Sequence, residues 1–220
     1  MNQPQQMLLF GVVIFLAIGL HEYAHCKVAE LMGDPTPREQ GRVTLNLFKH
    51  FDPLGAMMIV VTTISGIGIG WGRPAPVDPS RMKNPRWGFF ASVLAGPMCN
   101  ILQAIVFAIV LRVQVALNMA DMSQFLTGLS FIGVLVNLRL ALFNLIPIGP
   151  LDGHWLLGLL MPKPAMTQWF QFNRRYGSML LIGFILLSQL MPLQNGMSLL
   201  GYILGPPSDF LFRVLTGFPV

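Results

Sequence analysis

The chain has 220 residues, of which 54% are hydrophobic and 10% are charged, and its mean hydropathy is +0.62. Soluble domains carry about a quarter charged residues, so this composition excludes an ordinary water-soluble globular protein. The net charge of +5 comes from basic residues grouped between apolar runs. That distribution is typical of cytoplasmic membrane loops and argues against nucleic-acid binding.

Four apolar segments are predicted to be membrane helices, which need about 20 apolar residues each. They are residues 7–28, residues 89–117, residues 125–145, and Ser178–Leu190 with its continuation. The first segment lacks the basic start and the small-residue cleavage site of a secretory signal. We therefore predict that it remains in the mature protein as a helix.

Three further segments are not predicted to cross the membrane as simple helices. Residues 57–70 are rich in glycine and have basic loops on both sides, so we predict a re-entrant or shallow hairpin. Residues 155–161 predict only a helical stub. Near the C-terminus, Asp209 and Arg213 lie among apolar residues, a pattern that predicts an amphipathic helix at the membrane interface.

The connecting segments predict turns and one short strand. Residues 33–37 (GDPTP) end the first helix. Residues 42–47 alternate polar and apolar side chains, as a half-buried strand does. Residues 71–79 are rich in proline and predict an irregular turn region.

These elements predict one domain, because no linker is long enough to separate two. We expect a single membrane-embedded domain over residues 1–220, with its core in residues 7–160 and C-terminal helices in residues 176–218. The predicted fold class is an all-α polytopic membrane protein. It has about four to six transmembrane or re-entrant helices and a short β-hairpin near the functional site.

The most informative motif follows an uncharged stretch. Residues 1–20 contain no Lys, Arg, Asp or Glu, and then His21, Glu22 and His25 occur within five residues. Ionisable side chains at membrane depth are costly and indicate function. Two histidines four residues apart lie on one helical face, so both imidazoles can reach one Zn²⁺. Glu22 lies off that line and can hold the attacking water of a zinc hydrolase.

A catalytic zinc site needs a third protein ligand, and Asp152 is the leading candidate. It lies in residues 144–153 (NLIPIGPLDG), where two prolines break an apolar helix and present one carboxylate beside a glycine. Irregular backbone at membrane depth is tolerated where it lines a watery cavity. The sequence thus predicts a cavity that contains this aspartate.

Three motifs in this order resemble the site-2 protease family of intramembrane zinc metalloproteases. They are residues 21–25 (HEYAH), residues 95–100 (AGPMCN) and residues 144–153, and residues 41–55 and 71–79 also look like the compact branch of that family. The asparagine and aspartate of the third motif lie eight residues apart, which matches the longer variant of that motif. Inserted PDZ or appended CBS modules are not expected in 220 residues.

The resemblance implies a site and a reaction. His21, His25 and Asp152 would bind one Zn²⁺ per chain, and Glu22 would be the general base. Asn100 and Asn144 would steady the scissile carbonyl or its oxyanion. The implied activity is an intramembrane zinc metalloendopeptidase that cuts transmembrane segments of substrate proteins.

The expected partners are transmembrane protein substrates and the lipid bilayer, and nucleic acid is excluded. We expect an integral protein of a prokaryotic inner or plasma membrane with its active site toward the cytoplasm. The segment 42–47 is expected to pair with an unwound substrate by edge addition. The competing hypothesis is a non-proteolytic membrane protein or ion transporter that uses the same buried histidines and aspartate.

Several roles stay open at this stage. Asn100 could instead bond a neighbouring helix, and Asn144 could cap a helix end. Arg139 is predicted to snorkel toward the interface or to form a structural ion pair. His50 is predicted to anchor a loop, and His154 is not expected to bind zinc because three better ligands exist. Cys26 and Cys99 are predicted to be reduced.

Overall fold

The computed structural model describes residues 3–65, 71–118, 124–190 and 198–220. The α-helices in these ranges are α1 (Gln3–Leu31), α2 (Thr36–Glu39), α3 (Pro53–Ser65), α4 (Pro85–Ala116), α5 (Gln124–Asn144), α6 (Asp152–Leu160), α7 (Lys163–Phe172), α8 (Ser178–Leu190) and α9 (Leu199–Thr216). Single 3₁₀ turns occur at Leu47–His50 and Pro79–Arg81, and a π-helical turn, Asn173–Gly177, joins α7 to α8.

Three of the described helices are long and apolar enough to cross a membrane. They are Pro4–Leu31, Pro85–Ala116 and Gln124–Asn144, and they match three of the four predicted spans. The fourth predicted span begins as α8, but its continuation falls on residues 191–197, which lie outside the described residues. The predicted total of about four to six membrane segments therefore stays a prediction.

The helix ends follow from local chemistry. Beyond α1, Gly33 has a φ of +105°, a left-handed conformation that glycine adopts at little cost, so the helix ends where residues 33–37 predict. At the start of α4, the side-chain oxygen of Asn84 accepts a hydrogen bond from the backbone N–H of Trp87 at 3.2 Å. Pro85 then occupies the first helical position, where its missing N–H costs nothing.

The helices α1, α4 and α5 pack on one another and form the centre of the molecule. Lipid gives no hydrophobic drive between membrane helices, so close contact depends on small side chains. Ala104 and Ala108 of α4 are buried, and a Cβ at Gly133 of α5 would lie 2.4 Å from the ring of Phe107. The helix α9 covers this contact with Phe212, which is completely buried.

The ion pair predicted as one alternative for Arg139 lies between α5 and α9. Its guanidinium is 4.0 Å from the Asp209 carboxylate, and both side chains are exposed. An exposed pair at this distance contributes little to stability, so α9 is held mainly by apolar packing.

The predicted strand at residues 42–47, and with it the β-hairpin, was wrong, because the described residues contain no β-strand. These residues form bends that lead into the turn Leu47–His50. Their backbone groups are bound locally: Nε2 of His50 donates to the Thr44 carbonyl at 2.9 Å, and the Asn46 N–H donates to the Thr44 hydroxyl at 3.2 Å. The Arg42 guanidinium donates to the Arg73 carbonyl at 2.6 Å, so side chains rather than a strand ladder join this segment to residues 71–77.

Candidate metal centre

Three side chains from two helices converge on one point. His21 and His25 lie one turn apart on α1, and Asp152 is the first residue of α6. The two Nε2 atoms are 2.9 Å apart, and Oδ2 of Asp152 lies 3.2 Å from that of His21 and 3.4 Å from that of His25. Both rings are buried, so the three donor atoms face one another away from bulk water.

The hydrogen bond that each ring makes through Nδ1 determines which ring nitrogen carries the proton and which presents a lone pair to the cluster. Nδ1 of His25 lies 2.8 Å from the carbonyl oxygen of Ser92, which can only accept, so this nitrogen carries the proton. Nδ1 of His21 donates to Oδ1 of Asn100 at 2.6 Å. When the rings are neutral, as metal ligands are, these tautomers leave both Nε2 lone pairs facing Oδ2 of Asp152.

This donor set fits a zinc ion. Zn²⁺ binds histidine nitrogen and carboxylate oxygen at about 2.0–2.2 Å in a tetrahedron, which places its ligand atoms about 3.3 Å apart. The three separations found here, 2.9, 3.2 and 3.4 Å, agree with that spacing. Within the described residues Oδ2 of Asp152 is buried and is assigned no hydrogen bond, and a bound cation would satisfy such an oxygen.

Asp152 reaches α1 because the chain reverses sharply after α5. The turn between α5 and α6 is closed by backbone bonds, including Leu151 N–H to the Ile148 carbonyl at 3.0 Å. A Cβ at Gly153 would lie 2.2 Å from the carbonyl oxygen of Leu145, so only glycine lets α6 start this close to the end of α5. The predicted break in residues 144–153 therefore allows α6 to begin beside the end of α5, with Asp152 directed at α1.

The motif at residues 95–100 makes room for the two rings. A Cβ at Gly96 would lie 2.3 Å from Nε2 of His25 and 2.6 Å from Cε1 of His21. Pro97 is buried inside α4 and has no N–H, so the carbonyl four residues earlier loses its helical donor. The neighbouring Ser92 takes part in a reciprocal contact, since its hydroxyl donates to the His25 carbonyl at 3.0 Å.

A cavity of about 580 Å³ opens beside the three donor atoms. Glu22 and Asn144 line it, and the proline-rich residues 71–79 form one of its walls. A Cβ at Gly72 would lie 2.9 Å from Cγ of Glu22, so this wall lies directly against the glutamate. One carboxylate oxygen of Glu22 is buried and has no hydrogen-bond partner within the described residues, which leaves it able to accept a proton.

Comparison with known proteins shows two curated relatives that cover most of the chain. The chain is 38% identical over 163 residues to "Putative zinc metalloprotease YwhC" of Bacillus subtilis (strain 168), an overlap of 71% of this chain and 72% of that protein. It is 31% identical over 189 residues to "Putative zinc metalloprotease Rip2" of Mycolicibacterium smegmatis, an overlap of 73% of this chain and 71% of that protein. The chain belongs to the site-2 protease family.

The names of both relatives support a zinc metalloprotease, and three of the described helices are long and apolar enough to span a membrane, as expected of a membrane protein. No protein-family model matches the chain. No solved structure matches it either.

The structure of this site-2 protease family member also shows where the other predicted site residues lie. Asn100 is fully buried and bonds His21, whereas Asn144 lines the cavity and donates to the Leu140 carbonyl at 3.0 Å. His50 anchors its loop through Thr44, as predicted. His154 is not part of the cluster, and its Nδ1 donates to the Leu151 carbonyl at 2.5 Å. Both cysteines are free.

Sequence reasoning missed three residues that support the site. Ser92 orients His25, Asn137 bonds Asn100, and Asn173 accepts a hydrogen bond from the Gly149 N–H at 2.9 Å in the turn that precedes Asp152. A usable signal existed only for Asn137, since an amide in the middle of an apolar helix needs a polar partner.

Proposed function

We propose that this protein is an intramembrane zinc endopeptidase, which hydrolyses peptide bonds within transmembrane segments of other proteins. The observation that supports the proposal best is that the site is built on helices long and apolar enough to span a membrane. His21 and His25 lie within a helix that is long and apolar enough to span a membrane, and Asn100 of a second such helix contacts them. A peptide bond cleaved at a site on such helices would itself lie within the membrane.

The proposed ligands are His21, His25 and Asp152, which leave one position open for water or substrate. When bound, zinc supplies a Lewis acid that polarises the substrate carbonyl and lowers the pKa of water to near 7. The protein contributes the fixed tautomers described above. It also shields the site, since all three donor atoms are held between α1, α4 and α6.

Glu22 is proposed to move the proton. Glu22 follows His21 on the same helix, so its side chain points away from the face that carries the two histidines. Its carboxylate lines the cavity. The unpartnered oxygen accepts a proton from the attacking water and returns it to the amine that leaves. The peptide bond is thereby cleaved without a net change of protons on the enzyme.

Asn144 is proposed to steady the scissile carbonyl or its oxyanion. It lines the cavity at the end of α5, and one amide hydrogen is used by the Leu140 carbonyl. The second amide hydrogen supplies a neutral donor, which stabilises developing negative charge without burying another cation.

The proposed substrates are membrane-spanning helices, which must unwind locally before their carbonyls can be attacked. The proposed location is a prokaryotic inner or plasma membrane with the site toward the cytoplasm. This orientation rests on the basic residues of the connecting segments, such as Arg73, Arg81 and Lys83. Water for the reaction would then enter from that side.

The decisive experiment compares four purified proteins in liposomes with single-span substrates whose spans contain helix-destabilising residues. Glu22→Gln should retain one zinc per chain and lose cleavage by about 10²-fold or more, because only the proton carrier is removed. Asp152→Ala should lose both zinc and cleavage. Glu30→Gln is the matched control: it changes a glutamate of the same helix that pairs with Lys27 at 2.7 Å, and it should cleave normally.

Wild-type cleavage rates in Glu22→Gln and Asp152→Ala would overturn the proposal. The transport hypothesis would be favoured if the wild-type protein carried zinc across the liposome membrane and the Glu22→Gln variant carried it equally well. Zinc content is measured by atomic absorption and cleavage by gel analysis of the substrate.

A further inference from the structure

A buried asparagine of the third membrane helix has a role that neither the motifs nor the proposed catalytic residues explain. Asn137 lies in the middle of α5 and is completely buried. An unpaired amide in an apolar surrounding is costly, so its position requires partners. It has two: Nδ2 donates to the Gly133 carbonyl at 2.9 Å, and Oδ1 accepts from Nδ2 of Asn100 at 3.0 Å.

These bonds continue across three helices and end at a proposed zinc ligand. Nδ2 of Asn100 also donates to the Ala17 carbonyl of α1 at 3.1 Å, so both hydrogens of this amide are used. Its Oδ1 then faces Nδ1 of His21 at 2.6 Å. The series runs from α5 through α4 to α1, and every member is buried.

The series has only one consistent direction. The backbone carbonyls of Gly133 and Ala17 can only accept, so the amide nitrogens of both asparagines must face them. Oδ1 of Asn100 consequently points at His21, whose Nδ1 must carry the proton. The lone pair of His21 is thereby placed on Nε2, toward Asp152 and His25.

We infer that Asn100 and Asn137 are positioning residues, which together fix the tautomer and ring orientation of His21 for metal binding. Asn100 contacts the ring, and Asn137 acts through Asn100 by fixing which way its amide points. This inference rests on the proposed function in one respect, the role of His21 as a zinc ligand. It also assigns Asn100 away from the oxyanion, because its amide has no hydrogen left for a substrate.

The two histidines are oriented by different means, which explains why the amides are needed. His25 donates directly to the Ser92 backbone carbonyl of α4, which cannot change its orientation. His21 meets a side-chain amide instead, and an amide can rotate by half a turn and present a donor to the ring. Asn137 and the Ala17 carbonyl together disfavour that rotated state, because it would place the Asn100 oxygen opposite two acceptors.

The test measures zinc affinity in the full-length protein in detergent, by competition with a chelator. Asn100→Leu should weaken binding by about 10–100-fold, the usual loss when the outer partner of a metal-bound histidine is removed. Asn137→Leu should weaken it by at least about twofold, since it acts one bond further away. Ser130→Ala is the matched control: Ser130 is equally buried on α5, and among the described residues its hydroxyl bonds the Leu126 carbonyl of its own helix, so affinity should not change.

A double-mutant cycle separates positioning from general stability. If Asn137 acts through Asn100, then Asn137→Leu has no further effect on zinc affinity in the Asn100→Leu background. In both single variants, the Co²⁺-substituted protein should also show a visible spectrum that differs from that of the wild type. The melting temperatures of the metal-free proteins are measured as well, so that a general loss of stability is recognised.

Independent, additive losses of affinity in the double variant would overturn the inference, as would an unchanged affinity in Asn137→Leu. His25→Ala distinguishes this failure from failure of the proposed function. If His25→Ala loses zinc and Asn137→Leu does not, only the positioning role of Asn137 is wrong. If His25→Ala still binds zinc with native affinity, the metal centre itself is wrong.

Discussion

At the scale of single residues, free space around the two imidazoles matters as much as their chemistry. Gly96 is the clearest case, because any side chain there would occupy the position of the ring atoms. The glycine is not required by its own backbone, which is helical, but by what lies opposite it. A residue can thus be part of a metal centre without contributing an atom to it.

We predict that Gly96→Ala weakens zinc binding by about 10–100-fold, a loss comparable to removing an outer partner of the site. The added methyl would lie 2.3 Å from Nε2 of His25, so the ring must leave its position. Gly183→Ala is the control, since nothing lies within 4 Å of a Cβ there. Zinc retention during dialysis against a chelator measures the effect, and equal retention in the two variants would contradict the prediction.

His50 predicts a dependence of stability on pH. Burial lowers its pKa from the ordinary 6.5, and the nearby Arg42 guanidinium lowers it further, although the bond to the Thr44 carbonyl opposes this. The native state therefore binds the proton less readily than the unfolded state. Its contribution to stability is complete above about pH 6.5 and is lost as the pH falls below that value.

The variant His50→Gln tests this without removing the hydrogen-bond donor, since its amide can also reach the Thr44 carbonyl. We expect the melting temperature of the wild-type protein to fall more between pH 7 and pH 5 than that of His50→Gln. His154, whose pKa is also lowered by burial, is present in both proteins and cancels in the difference. Parallel melting curves across this range would show that His50 does not titrate as described.

At the scale of elements, the π-helical turn Asn173–Gly177 supports the turn that presents Asp152. Asn173 accepts a hydrogen bond from the Gly149 N–H, and a Cβ at Gly177 would lie 2.9 Å from the Gly149 carbonyl oxygen. Single π turns inside helices are often found where function requires a local change of geometry. Here the π-helical turn places Asn173 and Gly177 against the backbone of Gly149, which leads to α6.

We predict that Gly177→Ala destabilises the protein by about 1–3 kcal/mol, the usual cost of overpacking, and also weakens zinc binding. The atoms in the way belong to the backbone of Gly149, so they cannot move without moving the turn. The control Gly205→Ala lies in α9, where a Cβ meets nothing within 4 Å. Thermal unfolding and zinc competition on both variants check the prediction, which fails if the two behave alike.

The elements also show what the sequence could and could not predict. Long apolar runs identified α1, α4 and α5, because membrane helices need only length and apolarity. The alternation in residues 42–47 misled, because a strand needs a partner and Arg42 joins this segment to residues 71–77 through its side chain. That Asn137 needs a polar partner could be predicted, but which partner it meets, and the contact of Asn173, could not, since each depends on which helices lie side by side.

At the scale of the whole molecule, the proposed ligands belong to distant parts of the chain. Two come from the first membrane helix and one from α6, and the folded arrangement of α1, α4 and α5 brings them together. A metal that binds only this arrangement stabilises it by mass action.

We therefore predict that removing zinc lowers the stability of the whole protein and loosens α6 first. Zinc at 100 times its dissociation constant adds about 2.7 kcal/mol, so chelation should lower the melting temperature and added zinc should restore it. Hydrogen exchange should rise most in α6 and in the turn before it, because Asp152 is the contact by which α6 joins the two histidines of α1. His25→Ala should melt at the same temperature with and without chelator, since it has no complete site to lose. An equal response of wild type and His25→Ala would mean that the metal acts elsewhere on the chain.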